Sequence, residues 1–207
     1  MTDEPKVFVV DDDAAMRESL QWLIQSVGVA VETFATAEEF LDAYDPGRPG
    51  CLVLDVRMPG MGGLNLQQEL NRREIGLPIR IVTGYAEVPM AVRALKAGAF
   101  DFIEKPFSDQ LLLERVRQAI TIDRETRHAR AVRAEAALRV ARLTPREREV
   151  MELVIVGYPN KIIADRLGLS PKTVEVHRSQ VMRRLEVDSL AELVRLVILA
   201  QGSPAAV

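Results

Sequence analysis

Five apolar runs punctuate the first half of the chain: KVFVV (6–10), VAVETF (29–34), CLVLD (51–55), IRIVT (79–83) and DFIE (101–104). Between them lie segments with apolar residues at helical spacing, at 14–27, 37–44, 63–73, 88–97 and from near Ser108. Short continuous apolar runs alternating with amphipathic helices predict five βα repeats, a parallel sheet covered by helices on both faces. The pattern then changes. Residues 108–142 hold no Gly or Pro and read as one long helix, amphipathic at first and then rich in Ala, Arg and Glu. Asp123 with Arg127 and Glu135 with Arg139 stand at the favourable i,i+4 spacing. With so few large apolar residues, the second part of that helix is expected to be a solvated linker.

The remaining residues predict four short helices, each with a start signal. In LTPRERE, Thr144 is the N-cap, Pro145 the first helical residue and Glu147 the return arm of a capping box. That helix ends near Gly157. NKIIADRL opens at Asn160 and stops before Gly168. Ser170 caps a third helix, with Pro171 next, that runs to about Leu185. Ser189 caps the fourth, with Glu192 three residues on.

Composition changes the picture only where it is uneven. The net charge is −3 over 207 residues. It divides into −7 for residues 1–121 and +2 each for 122–141 and 142–207. An acidic first part joined to a mildly basic tail suggests two domains with different partners. No apolar stretch is long enough to span a membrane, and the polar start MTDEPK is no secretory signal. One cysteine, Cys51, excludes an intrachain disulfide, and its place in an apolar run predicts a packing role. A cytoplasmic protein is expected.

Candidate chemistry gathers at one edge of the predicted sheet. Ligands of such sheets sit beyond the C-terminal strand ends, where strand order reverses. Asp11, Asp12 and Asp13 follow the first strand, Asp55 ends the third, Thr83 ends the fourth and Lys105 follows the fifth. In the order 2-1-3-4-5 the first and third strands are neighbours, so their carboxylates converge. A hard divalent ion such as Mg2+ suits oxygen ligands of this kind. Lys105 and Thr83 add a positive charge and a hydroxyl that favour a phosphoryl group, and an Asp carboxylate can attack phosphorus to form an acyl phosphate. For Asp13 the simpler role of capping the first helix is preferred.

VVDDD, LDVRMPGMGG, IVTGY and DFIEKPF, in that order and spacing, resemble the receiver domain of two-component response regulators. The resemblance implies a flavodoxin-like fold with Asp55 phosphorylated by a sensor histidine kinase. It implies that Asp12, Asp55 and the backbone carbonyl of Arg57 bind Mg2+, with Asp11 acting through water. Thr83 and Phe102 would be the switch pair, the hydroxyl moving toward the phosphoryl group and the ring turning inward. Gly84 departs from the Ala or Ser usual at its place.

In the tail, the second and third helices joined by GLS have the length of a helix-turn-helix. Val174, His177, Val181 and Leu185 should pack inward. Lys172, Glu175, Val176, Ser179 and Arg183 should face out, with Val176 suited to a thymine methyl and Glu175 to a cytosine amino group. Lys161, Lys172, Arg178 and Arg184 are candidate phosphate contacts. In the fourth helix, Leu190, Leu193, Val194 and Val197 are the expected inward stripe. Leu196 and Leu199 remain outside as a candidate dimer surface. LTPREREV with GYPNKIIADRLGLSPKTVEVHRSQVMRRLEV resembles the LuxR-type helix-turn-helix, in which Thr173 also falls on the DNA-binding helix. The whole chain resembles a response regulator of the FixJ/NarL class. The expected organisation is a receiver at 1–121, a helical linker at 122–141 and an all-α DNA-binding domain at 142–207. Its partners would be the kinase, duplex DNA and a second copy after phosphorylation, with RNA polymerase a further candidate and no membrane. It would be no enzyme beyond its own phosphorylation and dephosphorylation at Asp55. A phosphatase using Asp55 and a tail that binds protein or RNA are the competing readings.

Overall fold

The computed structural model describes residues 4–84, 92 and 94–202. The chain divides into two units, residues 1–127 and 128–207. Unit one is a five-stranded sheet of order β2-β1-β3-β4-β5, made of β1 (Lys6–Val10), β2 (Ala30–Phe34), β3 (Gly50–Asp55), β4 (Ile79–Thr83) and β5 (Asp101–Glu104). Every neighbouring pair is parallel, as the apolar runs predict. Helices α1 (Ala14–Gln25), α2 (Ala37–Ala43) and α3 (Gly63–Arg72) connect the strands. The helix expected at 88–97 lies largely outside the described residues.

Strand alternation sorts the core into two layers. Phe8, Leu52, Leu54 and Ile81 pack with Phe40, Leu66 and Leu70 on one face. Val7, Val9, Val53 and Val82 pack with Leu20, Ile24, Leu112 and Val116 on the other. β3 is buried along its whole length and sits in the middle of the sheet. Cys51 lies within it, its thiol pushed up to about 12 by burial, which leaves it unreactive.

Helix α4 (Asp109–Ala141) is continuous over 33 residues, and the boundary between the units falls inside it. Its second part is mostly exposed, as expected of a solvated linker, but Asp123 and Ala136 are buried. Asp123 is buried, accepting from the Gly50 amide at 2.8 Å and from Arg127 Nε at 2.8 Å. Arg127 in turn donates to the carbonyls of Pro46, Gly47 and Arg48. Within unit two, Ala136 is buried in the core with Leu143, Val150 and Leu185, and Arg139 donates to the Leu185 and Glu186 carbonyls. Arg and Ala positions that look solvent-facing in sequence are thus used to close helix ends and fill narrow contacts.

Unit two holds α5 (Pro145–Ile155), α6 (Asn160–Leu167), α7 (Pro171–Leu185) and α8 (Leu190–Gln201). Their starts follow the cap chemistry. The Thr144–Glu147 capping box is complete, and Ser170 and Ser189 accept from the amides of Thr173 and Glu192. Glu192 itself reaches the Asp188 amide, one residue before the cap. Gly168 ends α6 at φ +64°, a left-handed position that glycine adopts without a Cβ clash.

Candidate functional site

β1 and β3 end side by side, with Val10 paired to Leu54. The residues that follow therefore converge: Asp11 is 3 % exposed and Asp55 7 % exposed. Lys105, just beyond β5, spans them, with Nζ 2.8 Å from Asp11 Oδ2 and 3.0 Å from Asp55 Oδ1. Its amide donates to the Thr83 carbonyl at 2.8 Å, which ties the loop to the end of β4, and its peptide bond to Pro106 is cis. Asp55 Oδ2 accepts from the Arg57 amide at 2.6 Å. Asp11 Oδ1 accepts from the Asp13 amide at 2.9 Å, and Asp13 caps α1 through the amides of Ala15 and Met16.

The loop after Asp55 folds back because position 63 is glycine. The Gly63 amide donates to the Val56 carbonyl at 3.0 Å. A Cβ there would run into the Asp55 carbonyl oxygen. α3 can start this close to the end of β3 only without a side chain at that point.

Burial raises the Asp55 carboxyl above the ordinary aspartate value, against the pull of the Lys105 ammonium and the Arg57 amide. Burial also works against the Lys105 charge, but Asp11 and Asp55 outweigh it and hold the ammonium above the ordinary lysine value. The carboxylate pair is thus sustained by one shared cation. Among the described residues no three acidic, His or Cys side chains stand close enough to hold a metal by themselves. The donors fit a hard divalent ion in another way: two converging carboxylates, the exposed Asp12 beside them and the main-chain oxygens of the following loop are all oxygen ligands.

Asp11, Asp55 and Lys105 are brought together as the sequence predicts, and Thr83 is buried at the end of β4. Asp12 is exposed, so the buried acidic partner of Asp55 is Asp11. Phe102 is half-buried against the core. Arg80 is not marked out by the strand pattern. Inside the run IRIVT it is fully buried, 3.6 Å from Asp101 and stacked on the Phe100 ring at 4.1 Å. The charge of Asp101 opening the next strand was the available signal.

In unit two, α7 divides as predicted. Val174, Val181 and Leu185 are buried, His177 is half-buried, and Lys172, Glu175, Val176, Ser179 and Arg183 face out, with Val176 50 % exposed. Thr173 is half-buried, its hydroxyl 2.8 Å from that of Ser170. One arginine differs from expectation. Arg184 is not a free phosphate contact: it pairs with the buried Glu147 at 3.1 Å and donates to the Arg142 carbonyl. Arg178 donates to Asn160 Oδ1 at 2.7 Å. Lys161 is exposed at the start of α6.

The apolar stripe of α8 needs one correction. Leu196 is only 8 % exposed and belongs to the core with Leu193 and Val197. Those positions share an i, i+3, i+4 face, which turns Leu190 outward in its place. Leu190, Ile198 and Leu199 are the exposed large apolar residues of this helix.

Residues 7–117 match the model of the response regulator receiver domain, and residues 141–197 that of the bacterial regulatory proteins of the luxR family. The chain is 46% identical to the transcriptional regulatory protein FixJ of Bradyrhizobium diazoefficiens, over 97% of this chain and 98% of that protein. It is 47% identical to nodulation protein W of the same species, over 92% of this chain and 84% of that protein. Among solved structures, that of the response regulator StyR matches with a TM-score of 0.85 at 47% identity, covering 94% of this chain and 98% of that one.

Proposed function

The chain belongs to the two-component response regulators of the FixJ/NarL class, phosphorylation-dependent transcription regulators, and from that premise we propose the residues that do its work. Residues 1–121 serve as the receiver, 122–141 as the helical connection and 142–207 as the DNA-binding head. Asp55 is the phosphoacceptor. One carboxylate oxygen attacks the phosphorus of a phosphohistidine on a sensor kinase. The new O–P bond forms as the bond from phosphorus to the histidine nitrogen breaks, and the imidazole leaves. The Lys105 ammonium, already 3.0 Å from Asp55, neutralises charge on the transferred oxygens. Asp12, Asp55 and the Arg57 carbonyl would hold Mg2+, with Asp11 acting through water, and the ion would supply further charge neutralisation when bound. Thr83 and Phe102 answer the new group, hydroxyl and ring moving together.

Phosphorylation shifts an existing equilibrium of the receiver toward a form that pairs with a second copy. Pairing raises the effective concentration of the two heads on DNA. Glu175, Val176 and Ser179 read base edges, Thr173 lies at the helix start beside them, and Lys161, Lys172 and Arg178 hold phosphates. Leu199, together with Leu190 and Ile198, offers the head's apolar contact to the second copy. RNA polymerase is the expected further partner, and the cytoplasm the expected location. Among the described residues no helix is long and apolar enough to cross a membrane.

The observation that carries this reading is the Asp55–Lys105–Asp11 cluster at the C-terminal edge of a parallel sheet, in a chain that also carries an exposed helix-turn-helix face. Its test is direct. The full chain is treated with acetyl phosphate and Mg2+, and its DNA affinity and association state are measured. Labelling at Asp55 that tightens both is expected. Labelling elsewhere would remove the assignment, and multiple turnovers on phosphomonoesters would favour a phosphatase instead.

A further inference from the structure

Asn160 occupies an unusual place. Asparagine at a helix start commonly caps its own helix, accepting from a nearby amide. Here the cap of α6 is Pro159, which offers no side-chain acceptor, and Asn160 is the first helical residue. Its Oδ1 turns instead to the neighbouring helix and accepts from Arg178 Nη1 at 2.7 Å. That is a short, charge-assisted bond between the first helix of the helix-turn-helix and the flank of the second. Asn160, Arg178, Ser179 and Arg183 line one open cleft of about 800 Å³ beside the exposed face of α7, together with Glu175 and Glu186.

An arginine has five N–H donors in a rigid planar fork on a flexible stem. Its affinity for a phosphate depends on how much of that stem must be ordered on binding. One donor of Arg178 is fixed on Asn160, and the remaining fork is held at the cleft. The acidic neighbours Glu175, Glu186 and Asp188 are exposed on the same cleft and would draw an untethered guanidinium toward themselves. We infer that Asn160 is a positioning residue for DNA binding: through its bond to Arg178 it keeps that guanidinium set for a backbone phosphate and away from the carboxylates. The inference rests on the reading of the α7 face as the DNA surface.

The test uses the full-length chain treated with acetyl phosphate. Binding is measured across a salt series to a random-sequence duplex and to an operator selected from a random pool. Arg178→Ala should weaken both about tenfold and lower the salt slope by about one. Asn160→Ala should weaken both by about three- to fivefold when Arg178 is present, and have no further effect on the Arg178→Ala chain. An equal loss in both backgrounds would overturn the inference, because Asn160 would then act by itself. A lower thermal midpoint with binding unchanged would also overturn it, leaving the bond a strut between helices. If Arg178→Ala changes nothing while Lys172→Ala weakens binding, the α7 face stands and the role of Asn160 falls. If Lys172→Ala is silent as well, the DNA surface itself is misplaced.

Discussion

Asp55 in the receiver and Glu147 in the head are both buried carboxylates, yet their surroundings push them in opposite directions. At Asp55 burial dominates, and the carboxyl is raised above its ordinary value. At Glu147 burial opposes the charge too, but the Thr144 amide and hydroxyl with Arg184 outweigh it and hold the carboxyl low. Glu147 has its hydrogen bonds filled within a capping box, whereas Asp55 keeps a charge that its neighbours do not fully settle. A carboxylate with its hydrogen bonds filled fits a structural role; one whose charge is left unsettled is the candidate for reaction. The same contrast runs through the cations. Arg184 is tied to Glu147 and a carbonyl, while Lys105 joins two acids that would otherwise repel.

The largest expected effect breaks that contrast at its centre. Asp55→Asn should abolish labelling by acetyl phosphate, by at least about a hundredfold, because the amide is no nucleophile. Intact-mass measurement settles the point, and a stable label on that variant would move the site elsewhere. Glu147→Gln should label normally. Next in size is Gly63→Ala. The added methyl meets backbone, which cannot swing aside, so we predict a loss of about 3 kcal/mol or more in receiver stability, read by denaturant unfolding. The head's transition should stay where it is.

On the α7 face the expected effects are graded. Exchanging Glu175, Val176 or Ser179 should change base preference by about 1–3 kcal/mol per position. Lys172→Ala should weaken all sequences alike and reduce the salt slope by about one. A uniform loss from every one of these replacements would erase the division between reading and holding residues. A titration of affinity against salt and sequence separates the two.

Much of this was legible in the sequence, for a physical reason. Strand runs, caps and the residues at strand ends are local signals. Asp13, Thr144, Ser170 and Ser189 cap where their side-chain chemistry says they should. Asp55 was legible because an apolar run ending in a carboxylate has few structural uses. What stayed hidden depends on partners distant in the chain. The Asp123–Arg127 pair looks like an exposed i,i+4 pair until the Gly50 amide, 73 residues away, is seen to need an acceptor. Leu196 and Leu190 exchange places because helical spacing alone does not fix which way α8 turns. Arg80 passes for a strand residue of the wrong kind until Phe100 and Asp101 arrive from the next strand.

The smallest expected effects sharpen the comparison by their sign. Asp55 is raised in the folded state, so the folded chain holds its proton over a window where the unfolded chain has released it. Its contribution to stability is therefore lost as pH rises from about 4, the ordinary aspartate value, through the folded value. Asp55→Asn carries no such charge and should raise receiver stability at pH 7, a gain that closes as pH falls toward 4. Glu147 is lowered, so its contribution is present above about 4.3 and is lost as pH falls through the folded value. Glu147→Gln should cost the head about 1 kcal/mol at pH 7, and that cost too should close in acid. Both differences vanish at low pH, but from opposite sides. Thermal unfolding of each variant at several pH values, with the two transitions followed separately, checks the pair. If Asp55→Asn destabilised the receiver at pH 7, Lys105 would be outweighing burial at Asp55, and the two carboxylates would belong to one class after all.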